Sequence, residues 1–369
     1  MQRFRRFPLL MIVLAPTILM ASSQATSRAP AAVPPCIVAT AECTGWVTVG
    51  GGPARSMFYR TFSLDAPNAR VTRALIMVHG TNRNADHYFD TARAAAFLAG
   101  ALEDTVVIAP HMIDRTDKAE ANEVVWQSSW RTGGPSVADP NQTSFDFVDE
   151  ILKKLAKKST FPNLKAIVVA GHSAGGQFVN RYSMSNKIHD TLGVPVTYVI
   201  ANPSSYAWPD ATRPLAQDDA DPVKAKDGWS LDASAAVLPP HTQFTFGPFD
   251  ATRAPNYNTW PAGLEKRDDP RNGAYIAKIT DDQLRTQLVE RPMTFLLGQV
   301  DTLPLGGFDS SATAMAQGPT RRARGEAFVK YVNEKLGAKH PIMIVPECGH
   351  NDRCMYTTDV VFPVVFPKG

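Results

Sequence analysis

Short apolar, β-branched runs alternate with helix-compatible stretches along most of this chain. Trp46-Val47-Thr48-Val49 and Met57-Phe58-Tyr59-Arg60-Thr61-Phe62 alternate with a period of two, as an antiparallel opening pair does, and Gly50-Gly51-Gly52-Pro53 between them is strong turn chemistry. Unbroken apolar runs follow at Ala74–Val78, Thr105–Ala109, Ala166–Ala170, Val196–Ile200, Met293–Leu297 and Ile342–Val345. Between them the pattern predicts an alanine-rich helix around Asp86 to Ala99, a helix from Phe145 to Lys157 and a helix near Arg322 to Leu336. In the second of these, Phe145, Val148, Ile151, Leu152 and Leu155 recur at helical spacing, and lysines close its end, where cations suit the dipole. Apolar runs without clean alternation, joined by helices, predict an α/β fold with a mostly parallel central sheet covered on both faces. From about Pro203 to Glu290 the rhythm breaks into a stretch rich in Pro, Asp, Trp and Tyr, expected to be an insertion over the sheet that helps form a substrate site. The expected organisation is therefore a core over 46–202 and 291–369 with an inserted cap or substrate region over 203–290.

The beginning of the chain reads as an export signal. Arg3, Arg5 and Arg6 precede a mostly apolar run from Pro8 to Met20, followed by the small residues Ala21-Ser22-Ser23-Gln24-Ala25. The apolar run is shorter than the ~20 residues a spanning helix needs, so a cleaved signal peptide over 1–25 is expected rather than a membrane anchor. Residues 26–45, with an Ala-, Ser- and Pro-rich start, read as a flexible leader carrying Cys36 and Cys43. Loss of the signal removes three arginines and no acid, leaving 35 basic against 35 acidic residues, so the formal +3 belongs to the signal. Near-neutrality gives no support to nucleic-acid binding or to a polyanionic substrate. The four cysteines fit a periplasmic or secreted protein. Cys36–Cys43 and Cys348–Cys354 are the simplest pairs, although four cysteines allow three pairings. Cys348, His350 and Cys354 lack the second ligand cluster of a metal site, and neither metal nor cofactor is expected. Nothing in the sequence sets an oligomeric state.

The most specific chemistry lies in Gly171-His172-Ser173-Ala174-Gly175, a G-x-S-x-G pattern directly after the strand Ala166–Ala170 and before the helix-compatible Gln177-Phe178-Val179-Asn180-Arg181-Tyr182. In a nucleophile elbow the serine sits on a strained strand-to-helix turn that lifts its hydroxyl above the sheet. A serine hydroxyl needs a base. His350, in Pro346-Glu347-Cys348-Gly349-His350, follows the strand Ile342–Val345 and emerges at the end where the elbow opens, whereas His340 precedes that strand. His172 is expected to pack or hydrogen-bond rather than react. Asp301, leaving the top of the preceding strand through Leu297-Gly298-Gln299-Val300, is the expected orienting carboxylate; Asp309 is a rival one loop on, and Asp352 lies too close to His350 in sequence. Oxyanion donors are expected from the backbone of Ala174 and of Thr81, the latter in His79-Gly80-Thr81-Asn82 after the strand ending at Val78.

On these motifs the chain resembles the α/β-hydrolase superfamily of serine hydrolases from about Phe58 to Val360, and the order Ser173, Asp301, His350 matches that family. The resemblance implies a cofactor-free acyl-enzyme route on a small-molecule or polymeric ester, with no nucleic-acid partner and no stable membrane anchor. An amide- or polymer-bond hydrolase with the same triad, such as a peptidase or a polyester or poly(aspartic acid) depolymerase, is the alternative, and a non-catalytic binding protein is a third possibility. Trp130, Tyr206 and Trp208, among aromatics expected above the sheet, are candidate substrate-binding residues, or else they pack the cap onto the core. The cysteines bracketing His350, if paired, would stiffen the loop holding the base.

Overall fold

The computed structural model describes residues 33–215, 244–305 and 307–368. The expected signal over 1–25, the first part of the leader and the middle of the expected insertion lie outside these residues. Eight strands form the central sheet: β1 (Thr44–Thr48), β2 (Arg55–Arg60), β3 (Arg73–Val78), β4 (Thr105–Pro110), β5 (Ala166–His172), β6 (Val196–Ala201), β9 (Met293–Gly298) and β10 (Ile342–Val345). Their spatial order is β1-β2-β4-β3-β5-β6-β9-β10. The pairs β1–β2 and β2–β4 are antiparallel, and every other neighbouring pair in this sheet is parallel. A separate two-stranded pair, β7 (Thr212–Leu215) with β8 (Thr245–Pro248), lies within the 203–290 region.

Both faces of the sheet are covered, as the unbroken apolar runs require. On one face, α2 (Ser144–Leu155), α3 (Ala174–Ser185) and the helices Asp281–Glu290 and Arg321–Leu336 pack Phe145, Ile151, Phe178, Leu284 and Phe328 onto Ile76, Val169 and Phe295. On the other face, α1 (Ala85–Leu98) and the C-terminal segment pack Phe89, Ala92, Met355 and Val365 onto Leu75, Val107 and Leu296. Helix α2 starts with a capping box, Thr143 and Asp146 bonding each other's backbone N–H groups, which fixes its entry beside the sheet.

The chain steps from β3 to β4 on one side of the sheet and then returns to the other side of β3 with β5. That reversal opens a crevice beyond the carboxyl ends of β3 and β5, the place where open α/β sheets bind ligands. Of the segment 26–45, the described residues from 33 onward include contacts that tie the chain to the sheet. The Cys36 N–H donates to Thr61 O at 2.7 Å, a disulfide joins Cys36 to Cys43, and β1 begins at Thr44.

Candidate active site

Gly171, Gly175 and Gly176 let the elbow form. A Cβ on Gly175 would lie 2.1 Å from Val78 O, and one on Gly171 would lie 2.4 Å from Gly175 O, so side chains there would push α3 off the sheet. Ser173, between β5 and α3, has φ 59° and ψ −118°, a strained conformation for a residue with a side chain. The strain turns its hydroxyl to the crevice, where the residue keeps 9% exposure.

His350 reaches Ser173 from the loop after β10. Its Nε2 lies 2.9 Å from Ser173 Oγ and its Nδ1 lies 2.9 Å from Asp301 Oδ2, so the three side chains form one hydrogen-bonded relay. The loop is held in three ways. Asn202, itself at φ 44°, donates from Nδ2 to Gly349 O and accepts the Gly298 N–H on Oδ1, joining the top of β9 to the histidine loop. Gly298 lets the loop approach, since a Cβ there would sit 2.5 Å from Cys348 O. A disulfide joins Cys348 to Cys354, which bracket His350 in sequence, and the other pair is also the sequence-local one.

Asp301 is buried and serves two partners. While Oδ2 faces His350, Oδ1 accepts from Arg321 Nη1 at 3.3 Å, and neither of these two side chains is more than 1% exposed. Arg321 Nε also donates to Ser204 Oγ. The sequence pattern did not single out Arg321. Its signal was the cluster Arg321, Arg322 and Arg324 in the first turn of a helix, where the positive dipole end disfavours cations unless something else holds them. Asp309 does not approach His350: its carboxylate accepts the Ser311 N–H, and its carbonyl accepts from Arg324. Asp352 instead bonds His87 and Thr91 on α1.

The loop after β3 lies against Ser173, a Cβ on Gly80 falling 3.8 Å from Ser173 Cβ. Thr81 is exposed next to it, and Ala174 occupies the first position of α3, where the N–H has no intrahelical acceptor. Neither amide bonds a backbone carbonyl of a described residue. His79 braces the loop: Nε2 accepts the Met112 N–H, which leaves Nδ1–H to donate to Gly80 O. Burial pushes its imidazole down to about 3, so it stays neutral. His172 lies 3.2 Å from Tyr88 Oη and stacks near His350, with ring centroids 4.6 Å apart. Burial, and next the electrostatic influence of His350, hold it well below the usual histidine range, so it stays neutral beside that ring.

The candidate substrate-binding aromatics lie elsewhere. Tyr206 and Trp208 are fully buried and pack on the helix Arg321–Leu336, Tyr206 stacking on Phe328 and Trp208 on Tyr331. They are core residues, because the chain after β6 turns into the helical layer before reaching the surface. Trp130 is 3% exposed, wedged between His79 and Phe178 beneath the site. The cavity of about 760 Å³ beside the elbow is lined instead by Gln177, Ser204, Ser205, Trp260, Gly307 and polar residues of the segment Ser128–Thr132. Among the described residues no cluster of three His, Cys, Asp or Glu side chains is placed to hold a metal ion.

No family model matches the sequence, and no curated protein matches it. Solved structures do. Poly(aspartic acid) hydrolase-1 from Sphingomonas sp. KT-1 aligns with a TM-score of 0.54 at 21% identity, covering 85% of this chain and 95% of that one. The poly(3-hydroxybutyrate) depolymerase LpqC from Bordetella parapertussis aligns at 0.51 with 18% identity, covering 84% of each chain. The strand order, the elbow after β5 and these superpositions agree. The chain has the α/β-hydrolase fold. In this α/β-hydrolase fold the tops of β3, β5, β6, β9 and β10 each deliver one part of the candidate site. What lines the neighbouring cavity is decided by the loops between them.

Proposed function

We propose that this protein is an exported serine hydrolase that cleaves carboxylic esters through an acyl-enzyme on Ser173. The observation that carries the reading is the unbroken relay from Asp301 through His350 to Ser173 Oγ, with both bonds at 2.9 Å. Ser173 Oγ attacks the substrate carbonyl as His350 Nε2 takes its proton. The Ala174 and Thr81 amides donate to the oxygen on which charge develops, and Asp301 stabilises the charged imidazole. His350 then protonates the departing alcohol, and water activated by the same imidazole releases the acid. Two disulfides and a leading basic-apolar segment support export, and no helix among the described residues is long and apolar enough to cross a membrane.

A second reading, hydrolysis of amide or polymer bonds by the same triad, is favoured on the polymer side by the size of the neighbouring cavity, about 760 Å³. It gains some support from the two structures above, each of which is named as a hydrolase of a polymer. Turnover of a short-chain aryl ester, with labelling of Ser173 by a serine-directed phosphonate, tests the first reading. Ser173→Ala and His350→Ala are each expected to lose roughly 10³-fold or more in rate while remaining folded. A wild-type protein that neither turns over the ester nor takes the label would sink it. Matched ester and amide substrates separate the two readings.

A further inference from the structure

The cavity beside Ser173 concentrates positive charge that the composition as a whole does not predict. Arg131, at the end of the segment Ser128–Thr132, is half-buried in its wall and makes no hydrogen bond or ion pair with a described residue. Behind the wall Arg181 is fully buried and spends its donors on neutral oxygens: Pro261 O, Gln177 O, Ser205 O and Ser205 Oγ. Arg324 is buried too, on the carbonyls of Gly318, Ser204 and Asp309. Arg321, paired directly with Asp301, also donates to the hydroxyl of Ser204, which lines the cavity.

The acids nearby are fewer. Arg271 and Asp269 at the rim neutralise one another, and Asp301 is engaged by His350 and Arg321. That leaves the Asp309 carboxylate, which also accepts the Ser311 N–H, against Arg131, Arg181 and Arg324, with Lys266 on the rim. Burial first, and the adjacent Arg131 charge second, pull Arg181 down to about 9, against a smaller opposing effect of Asp309, which agrees with two guanidinium groups near each other sharing one carboxylate.

From this arrangement, and resting on the acyl-transfer reading, we infer that the cavity is an acyl-binding site for substrates bearing a carboxylate, which Arg131 receives with Gln177 and Ser205 alongside. A planar guanidinium matches a carboxylate with two parallel hydrogen bonds. Gln177 is one turn after the nucleophile, its N–H bonded to Ser173 O, so a chain held at Arg131 runs past Gln177 toward Ser173. The near-zero net charge of the mature sequence is compatible with this, because the basic groups are gathered at one place.

The test uses mono-4-nitrophenyl adipate and its methyl ester, which differ in the distal charge alone. Wild-type protein is expected to prefer the carboxylate in kcat/KM, and Arg131→Gln to reduce that preference roughly 10- to 100-fold, the worth of one charge-assisted interaction in a partly buried site. Arg131→Lys, which keeps the charge and loses the fork, is expected to fall between them. A preference identical in wild type and Arg131→Gln overturns the inference. Calorimetry on the Ser173→Ala protein with monomethyl and dimethyl adipate reads the site without turnover. Binding of the monomethyl ester that disappears with Arg131→Gln supports the anion site even if no ester is cleaved, in which case the acyl-transfer reading alone falls. Turnover of both aryl esters without charge preference removes the anion site and leaves the hydrolase standing.

Discussion

Asp301 is at once the partner of His350 and the counter-ion of Arg321, and these two duties are separable. Replacing Asp301 by Leu, close to it in size but apolar, puts a hydrocarbon opposite the buried Arg321 guanidinium, whose other interactions, the bond to Ser204 Oγ among them, are retained. Replacing Arg321 by Met leaves the carboxylate buried with His350 as its partner. Breaking a buried pair from one side costs about 3–5 kcal/mol, because a charge stays out of water without compensation, whereas replacing both members with well-packed apolar groups is close to neutral. The retained hydrogen bonds argue for the lower end for each single variant. The double variant is therefore expected to be more stable than the sum of the singles by roughly 3 kcal/mol or more, read as urea-unfolding free energies in a double-mutant cycle. Activity should divide differently. Asp301→Leu loses the group that orients His350 and is expected to drop about 10³- to 10⁴-fold in kcat/KM on an aryl ester. Arg321→Met keeps the Nδ1–Oδ2 bond and is expected to stay within roughly tenfold of wild type. The double variant recovers stability but not activity. Additive stabilities, or an active Asp301→Leu protein, would refute the assignment of both duties to this carboxylate.

Two more outcomes follow from named contacts. Asn202→Ala removes both hydrogen bonds that tie Gly298 to Gly349 and puts alanine at a left-handed position. The histidine loop loosens, and kcat is expected to fall roughly 10- to 100-fold with about 1–3 kcal/mol of stability lost, measured by steady-state kinetics and urea melts; unchanged kcat would show that the loop is held elsewhere. Asp149 is buried between Tyr182 Oη at 2.5 Å and Tyr275 Oη at 3.0 Å, and burial pushes its carboxyl up to about 7. A carboxyl raised above its unfolded value stabilises the fold in its neutral form, so its contribution is fully present below about pH 4 and is lost as pH climbs toward 7. The loss amounts to a few kcal/mol on the order of the shift. Buried histidines such as His79 and His172 act in the opposite sense over the acid range. The telling quantity is therefore the stability difference between wild type and Asp149→Asn, which should shift by that amount in favour of the variant between pH 4 and 8; a difference flat across that range would sink the assignment.

The strands, the main helices and the three residues of the relay were legible in sequence because each depends on local chemistry. A parallel strand buried on both faces must be apolar throughout, and an elbow must be small on both sides of its serine, where Gly175 meets Val78 O. Chain order and the requirement that all parts leave the same end of the sheet then favour His350 and Asp301, with Asp309 left as a rival, and the structure brings His350 and Asp301 into one hydrogen-bonded line with Ser173. The aromatics misled for a physical reason. An indole or phenol is as suited to a core as to a rim, and Tyr206 and Trp208 went to the core because the chain after β6 dives between β9 and the helix Arg321–Leu336.

By itself, then, the sequence determined that an α/β sheet would form and pointed to the hydroxyl, imidazole and carboxylate that meet at one end of it. The tertiary structure alone decided what surrounds them. Arg131, Arg181, Arg321 and Arg324 come from three separated segments, and nothing in their local spacing says that they meet beside one serine. Helical period and strand alternation report which face of an element is buried, whereas the charge inside a cavity is a sum over elements brought together only by folding.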